Sequence, residues 1–264
     1  MTPDALAAEL ADVRRTLDRL DDRLGQLTGL LLEQVVTSEA RTDDAATRHQ
    51  RVVVDVSRQT QALLQLLDLV EVARPLPPLG GWAASADFLL HLVQHVVDTR
   101  PAVVLECGSG STTLLLALAI RTHGLPTRVV SLDHDAWFAE QTRRRLEEHG
   151  VADLADVRLA PLVPTGLPDH PTPWYDVAAL PPVADLPPAG VLVVDGPPEV
   201  TGRLARWPAL PLLRDRLAPG CTVLLDDLGR ADEQAAAAAW LDAEPGAHFE
   251  SVELLKGLGV LTLP

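Results

Sequence analysis

Two stretches within residues 1–73 carry apolar residues at helical spacing, with charged residues between them. The first stretch alternates steps of four and three residues, at Leu6, Leu10, Val13, Leu17, Leu20, Leu24, Leu27 and Leu31. After a polar stretch over residues 37–50 the spacing resumes one residue out of phase, at Val53, Val56, Thr60, Leu63, Leu67 and Val70. So narrow a stripe is typical of a coiled coil. We therefore predict a helical segment that makes a homo-oligomer through residues 6–31 and also 53–70; helices folded back on each other would give the same pattern.

A proline- and glycine-rich linker at residues 74–81 (RPLPPLGG) separates this segment from residues 82–264. Beyond it, short apolar runs alternate with helical patterns. The predicted strands are Ala102–Leu105, Arg128–Leu132, Asp156–Leu159, Val191–Val194 and Thr222–Leu225, with a closing pair at His248–Leu255 and Leu258–Leu263. The predicted helices include Trp82–Thr99, Ala136–Gly150, Ala209–Leu217 and Ala231–Ala243. This order predicts an α/β domain with a Rossmann-like, mostly parallel sheet and a terminal antiparallel β pair.

The composition narrows the classes of partner and compartment. The 264 residues are 47% hydrophobic and carry a formal net charge of −15, with Lys256 as the only lysine. So acidic a chain does not suit the phosphate backbone of a nucleic acid. No apolar run approaches the ~18 residues of a membrane span, and the N-terminus does not resemble a secretory signal. We expect a cytoplasmic protein in which Cys107 and Cys221 are buried free thiols.

The stretch Pro101–Thr113 (PAVVLECGSGSTT) joins the first predicted strand to the helix after it through a glycine turn. Gly108 and Gly110 would let the backbone approach a ligand closely, and the helix N-terminus would favour a nucleotide-like group. The dinucleotide fingerprint requires a third glycine three residues later, but Thr113 stands there, which argues against a nicotinamide enzyme. Asp133 ends the second strand, 23 residues after Gly110, where a carboxylate can accept both ribose hydroxyls of an adenosine.

The stretch from Glu106 to Gly110 resembles motif I, (E/D)xGxG, of the class I S-adenosylmethionine-dependent methyltransferases. The resemblance covers about residues 82–264 and implies S-adenosylmethionine as cofactor. It implies cofactor-binding roles for Glu106, Gly108, Ser109, Gly110, Asp133 and His134. For His134, which would neighbour the adenine, a solvent-facing turn position is an open alternative.

Acidic residues also follow the fourth and fifth strands, in VVDGPP and LLDDLGR. Asp195, Asp226 and Asp227 resemble the divalent-metal site of the catechol, caffeoyl-CoA and antibiotic-sugar O-methyltransferases. Three hard oxygen donors suit Mg²⁺, which would lower the pKa of a substrate hydroxyl and orient it. The alternative is that these residues only cap the loops that follow their strands.

The resemblance also implies a catalytic lysine three residues after the first metal ligand, but Pro198 stands at that position. Lys256 lies far along the chain, so we expect a different base. His170, on the proline-rich loop Pro161–Trp174, is the first candidate, and a metal-bound carboxylate such as Asp195 is the second.

The sequence therefore predicts methyl transfer from S-adenosylmethionine to a hydroxyl oxygen of a sugar or similar polyhydroxy molecule, assisted by Mg²⁺. Two alternatives stay open. One is a metal-independent methyltransferase that acts on nitrogen or a carboxylate; the other is an inactive methyltransferase-like scaffold built on the coiled coil.

Overall fold

The computed structural model describes residues 14, 17–21, 23–25, 27, 28, 43–81, 83–168 and 170–264. Much of the first apolar stripe, and with it the predicted coiled-coil contact through residues 6–31, lies outside the described residues. The chain divides into two units, residues 1–56 and residues 57–264.

Six helices are described in full. They are α1 (Asp43–Leu69), α2 (Ala86–Thr99), α3 (Ser111–His123), α4 (Ala136–Glu148), α5 (Ala209–Leu213) and α6 (Ala231–Ala243). The strands are β1 (Val103–Cys107), β2 (Arg128–Asp133), β3 (Ala155–Leu159), β4 (Leu162–Val163), β5 (Trp174–Tyr175), β6 (Ala189–Val194), β7 (Leu217–Asp226), β8 (His248–Val252) and β9 (Leu258–Thr262). The predicted alternation of strand and helix is thus confirmed, with shifts of a few residues at most boundaries.

Seven strands form one sheet in the order β3-β2-β1-β6-β7-β9-β8. The five strands from β3 to β7 are parallel, and β9 runs antiparallel to both β7 and β8. The order reverses between β1 and β6, and such a switch point opens a crevice at the carboxyl ends of the strands. The Rossmann-like sheet with its terminal antiparallel pair is confirmed.

The central strands are buried on both faces, which explains their continuous apolar runs. One face packs against α2 and α3, where Phe88, Leu92 and Leu116 are fully buried. The other face packs against α5 and α6, around Trp174 and Trp240. Cys107 and Cys221 are buried free thiols, as the sequence predicted.

The second apolar stripe does not face the way its spacing predicts. Ala62, Leu66 and Val70 are buried, and the last two join the core that contains α2, whereas Val53 and Leu67 are 41% and 40% exposed. Residues 57–70 thus belong to the same unit as the sheet, residues 57–264; the linker over residues 74–81 stays a prediction. Within this stretch, Leu66 and Val70 pack in the core of the sheet domain.

The proline-rich loop also differs from its prediction as an irregular segment. Its two ends pair as β4 and β5, with Leu162 opposite Tyr175 and Val163 opposite Trp174. This small antiparallel sheet brings two buried aromatic residues to the carboxyl edge of the main sheet. No helix in the described part of the chain has the length and apolar character needed to cross a membrane.

Candidate active site

The glycine turn, residues 108–111, connects β1 to α3 at the switch point of the sheet. Gly108 has a φ of +102°, and a Cβ there would meet the backbone carbonyl carbon and oxygen of Asp195 at 3.3 Å. The amide of Asp195 in turn donates to the carbonyl of Cys107, at 3.0 Å. Gly108 therefore allows the ends of β1 and β6 to lie this close; a side chain here would be strained at this φ and would require the Asp195 backbone to shift by a few tenths of an ångström.

Glu106 lies behind the glycine turn and is 1% exposed. The hydroxyl of Thr113 donates to one carboxylate oxygen of Glu106 and accepts the amide hydrogen of Gly110. The other oxygen, Oε1, has no hydrogen-bond partner. Burial raises the pKa of Glu106 from its ordinary 4.5 to about 7, against the lowering effect of nearby hydroxyls. Glu106 and Thr113 thus brace the turn from inside.

Asp133, at the end of β2, also bonds to the glycine turn. One carboxylate oxygen accepts from the amide and the hydroxyl of Ser109, and the other accepts from the amide of Asp135, at 3.0 Å. His134 lies alongside, with its Nδ1 3.8 Å from Asp133 and without a hydrogen-bond partner. The predicted residues of the cofactor site therefore lie together at the carboxyl ends of β1 and β2.

Tyr175, which the sequence reasoning did not single out, borders this site and is 2% exposed. Its ring lies edge-on to the rings of His134 and Trp174, with centroids 6.0 and 5.1 Å apart. A Cβ at Gly196 would collide with its hydroxyl. Burial raises the pKa of Tyr175 well above its usual value, and the charges of Asp133 and Asp195 raise it further. Tyr175 thus lies within the electrostatic reach of both aspartates.

Asp195, Asp226 and Asp227, called the carboxylate cluster below, come together as predicted. Each offers an oxygen within 4.8 Å of the others. They converge because β6 and β7 are adjacent parallel strands whose carboxyl ends share one edge. Asp227 has a φ of +60°, so the extended backbone ends there; consecutive residues of a strand would otherwise point to opposite faces.

Arg206, in the turn before α5, binds the carboxylate cluster with a buried guanidinium group. Its Nη2 is 2.6 Å from Asp227 Oδ2 and 3.3 Å from Asp195 Oδ1, and its Nη1 donates to the backbone carbonyl of Asp226 at 2.8 Å. Glu233 on α6 lies 3.7 Å from its Nε. Burial opposes the charge of Arg206, but the surrounding carboxylates raise its pKa. The sequence reasoning missed Arg206, whose only signal was one charge in an apolar stretch.

The position of Lys256 differs from the one expected from the sequence. The sequence placed the only lysine far from the site, whereas its Nζ lies 3.9 Å from Asp226 Oδ2 and 3.8 Å from Asp227 Oδ1. Because β9 pairs antiparallel with β7, with Leu258 opposite Asp226, the turn before β9 returns to the end of β7. Arg230 adds a further cation, 3.0 Å from Asp227 Oδ2.

These cations compensate the negative charge of the carboxylate cluster, which a divalent metal would otherwise do. Burial, together with repulsion inside the cluster, raises the pKa of Asp195 well above its usual range and raises that of Asp226 as well. One oxygen, Asp226 Oδ2, is buried without a hydrogen-bond partner. Its nearest cation is nevertheless Lys256, and Asp227 already binds two arginines. The carboxylate cluster therefore does not fit Mg²⁺ while Arg206 and Lys256 stay in place.

His170, the first candidate base, is buried and packs against Trp207, with ring centroids 4.9 Å apart. Its Nε2 has no hydrogen-bond partner, and burial lowers its pKa. None of the contacts found among the described residues joins His170 directly to Asp195, Asp226 or Asp227.

Comparison with known proteins supports the assignment of the fold. Residues 105–228 match the family described as "Methyltransferase domain". The SAH-bound methyltransferase PaMTH1 from Podospora anserina has a TM-score of 0.56 at 14% identity, over 85% of this chain and 97% of its own. No curated protein sequence matches the chain.

Two structures described as O-methyltransferases are similar to the chain. The O-methyltransferase TomG from Streptomyces achromogenes, solved with SAM and involved in tomaymycin synthesis, has a TM-score of 0.53 at 18% identity over 80% of this chain and 96% of its own. The enzyme from Bacillus cereus, solved with SAH, has a TM-score of 0.52 at 16% identity over 88% and 96%. The family match thus indicates a methyltransferase domain over residues 105–228, and the fold of the chain is the one seen in these SAH- and SAM-bound methyltransferase structures.

Proposed function

We propose that this protein transfers a methyl group from S-adenosylmethionine to a hydroxyl oxygen of a small molecule. The observation that carries the proposal is the placement of the carboxylate cluster beside the glycine turn, at one edge of a methyltransferase sheet. At this switch point a cofactor and an acceptor can meet. The two similar O-methyltransferases favour oxygen over nitrogen as the acceptor atom.

The residues around the glycine turn suit S-adenosylmethionine. Space is open at Gly110, where no atom lies within 4 Å of an added Cβ, and two buried polar atoms, Glu106 Oε1 and His134 Nδ1, lack partners. Asp133 would accept the ribose hydroxyls in place of its bonds to Ser109. When bound, S-adenosylmethionine supplies an electrophilic methyl group on a sulfonium; the acceptor oxygen forms the new C–O bond as the C–S bond breaks, which releases S-adenosylhomocysteine.

The acceptor hydroxyl must lose its proton as the C–O bond forms, so the site requires a base. Asp195 is the preferred one because it belongs to the carboxylate cluster, is partly exposed, and follows β6 next to Gly108. Its carboxylate would take the proton and pass it to solvent. His170 is the second candidate; its unpartnered Nε2 supports that role, and its burial against Trp207 opposes it.

A screen of acceptors tests this function most broadly. The full-length protein is incubated with methyl-labelled S-adenosylmethionine and sugars, catechols, amines or small carboxylic acids, with Mg²⁺ in one arm and a chelator in the other. We expect label on a hydroxyl oxygen of one class and its loss in Asp195→Ala. Label on nitrogen or on a carboxylate would replace the proposal by that alternative, and S-adenosylhomocysteine binding without any transfer would favour the scaffold.

We further propose that the chain forms a homo-oligomer through its N-terminal helical residues. Among the described positions of the first stripe, Leu17, Leu20 and Leu27 are 60%, 52% and 59% exposed. Apolar residues repeated along one helix face are covered by a partner helix in a coiled coil. A partner copy would remove this surface from water.

A further inference from the structure

The carboxylate cluster carries cations on two separate sides. On one side, Arg206 and Arg230 both bind Asp227 Oδ2, at 2.6 and 3.0 Å. On the other side, Lys256 faces Asp227 Oδ1 and Asp226 Oδ2 at 3.8 and 3.9 Å. The three aspartates and Glu233 supply at most four negative charges, and the three cations balance most of them.

Lys256 is held in this position by its own segment of chain. Its Nζ donates to the carbonyl of Ala83 at 3.1 Å, and its backbone carbonyl accepts from the amide of Gly229 at 2.9 Å. The preceding amide, that of Leu255, donates to Asp87 Oδ2 at 2.7 Å. The ammonium group is therefore fixed between the N-terminal end of α2 and the end of β7.

A divalent ion would compete with both cations for the same oxygens. Mg²⁺ and Mn²⁺ bind carboxylate oxygens at about 2.1 Å. An ion bridging Asp226 Oδ2 and Asp227 Oδ1 on the side that Lys256 faces would displace its ammonium group. An ion on the opposite side would meet the guanidinium of Arg206, whose side chain is only 5% exposed.

We propose that Arg206 and Lys256 together replace the divalent cation that the three aspartates would otherwise bind. The carboxylate cluster then stays compensated by cations of the protein itself, and methyl transfer proceeds without a metal. Only the statement about methyl transfer rests on the proposed function; the statement about metal binding stands independently of it. Lys256 is the decisive member, because it faces the two oxygens that the arginines leave open, Asp226 Oδ2 and Asp227 Oδ1.

Manganese alone is the probe, followed by electron paramagnetic resonance of the free ion, with the full-length protein. We expect no stoichiometric Mn²⁺ site in the wild type. Lys256→Gln removes the cation that faces the two open oxygens and should tighten Mn²⁺ binding by about tenfold or more, the effect of roughly 1.4 kcal/mol. The matched control is Arg230→Gln, which removes one charge from the side that Arg206 still covers and should not create a site.

Two results would overturn the proposal. One is a stoichiometric Mn²⁺ site in the wild type that Mg²⁺ displaces and Asp226→Asn weakens. The other is equal Mn²⁺ binding by Lys256→Gln and Arg230→Gln. Calorimetry of the same proteins with S-adenosylhomocysteine separates this outcome from the proposed function, because a wild type that binds no S-adenosylhomocysteine would refute the function and leave the manganese result valid.

Discussion

At the scale of single residues, several acidic residues lie at or just after the end of a strand, but each has different neighbours. Glu106 is buried behind the glycine turn, Asp133 binds the turn from the front, and Asp195 faces a guanidinium. The sequence could predict their common edge, because parallel strands end together. It could not predict which acid is braced by a threonine or compensated by an arginine, because those partners come from other elements.

The first prediction concerns Asp133, which is placed to accept the ribose hydroxyls. Asp133→Ala should weaken S-adenosylmethionine binding by about 1.5–3 kcal/mol, the value of hydrogen bonds to a charged group. Asp135→Ala is the control, because Asp135 caps α4 by accepting from the amides of Trp137 and Phe138. Calorimetry that finds equal affinity in Asp133→Ala and the wild type would remove Asp133 from the cofactor site.

Glu106 should make the stability of the protein depend on pH. Its pKa is raised from 4.5 to about 7 in the folded state, so the folded protein holds a proton that the unfolded chain has lost. The contribution is fully present below pH 4.5 and is lost as the pH rises through about 7. A shift of this size corresponds to at most about 3 kcal/mol.

The side chain at position 106 of the variant Glu106→Gln cannot ionise, so this variant should not lose stability in this way as the pH rises. The free energy of unfolding of the variant minus that of the wild type should be larger at pH 8 than at pH 5, as measured by urea denaturation at both values. Thr113 can still donate to the amide oxygen, so the brace of the glycine turn is kept. If the free energies of unfolding of the two proteins differ by the same amount at pH 5 and at pH 8, Glu106 does not titrate in this range.

At the scale of elements, the site is assembled by connections that bring distant segments to one edge. The antiparallel pairing of β9 with β7 places Lys256 at Asp226 and Asp227, although 28 residues separate Lys256 from Asp227 in the chain. The order of predicted strands indicated the fold, but the sequence did not reveal this return of the last turn. The same holds for the proline-rich loop, whose β4–β5 pair brings Tyr175 to the site.

The contact between β5 and the end of β6 is a testable part of this assembly. A Cβ at Gly196 would collide with the Tyr175 hydroxyl and lie 3.3 Å from the carbonyl of Cys107. Gly196→Ala should therefore cost about 1–3 kcal/mol of stability through overpacking. Tyr175→Phe removes the hydroxyl and should recover at least about 0.5 kcal/mol of that cost in a double-mutant cycle. Additive effects of the two substitutions would contradict the contact.

At the scale of the whole molecule, the sequence predicts the sheet domain better than it predicts the contacts of the helix before it. The sheet domain could be predicted from alternating strands and helices, because burial on both faces leaves a clear apolar signal. The partner of residues 57–70 could not be predicted, because their helical spacing is the same whether they face a partner helix or their own sheet. In the structure, Leu66 and Val70 are buried in the core of the sheet domain.

The remaining apolar stripe predicts the oligomeric state. Replacing Leu17, Leu20 and Leu27 together by Glu should lower the mass measured by light scattering, because charges on the covered face of a coiled coil oppose its assembly. Val200→Glu is the control, since Val200 is 84% exposed in the sheet domain. A wild type that is already monomeric would contradict the predicted homo-oligomer.

The central claim is that the edge between β1, β2 and β6 binds S-adenosylmethionine for methyl transfer. Its most direct test is calorimetric titration of the full-length protein with S-adenosylhomocysteine, the product that keeps the adenosine and amino-acid groups. We predict saturable binding with one molecule per chain, unchanged by chelator and weakened in Asp133→Ala. The absence of saturable binding, or binding that persists unchanged without the Asp133 carboxylate, would contradict the account.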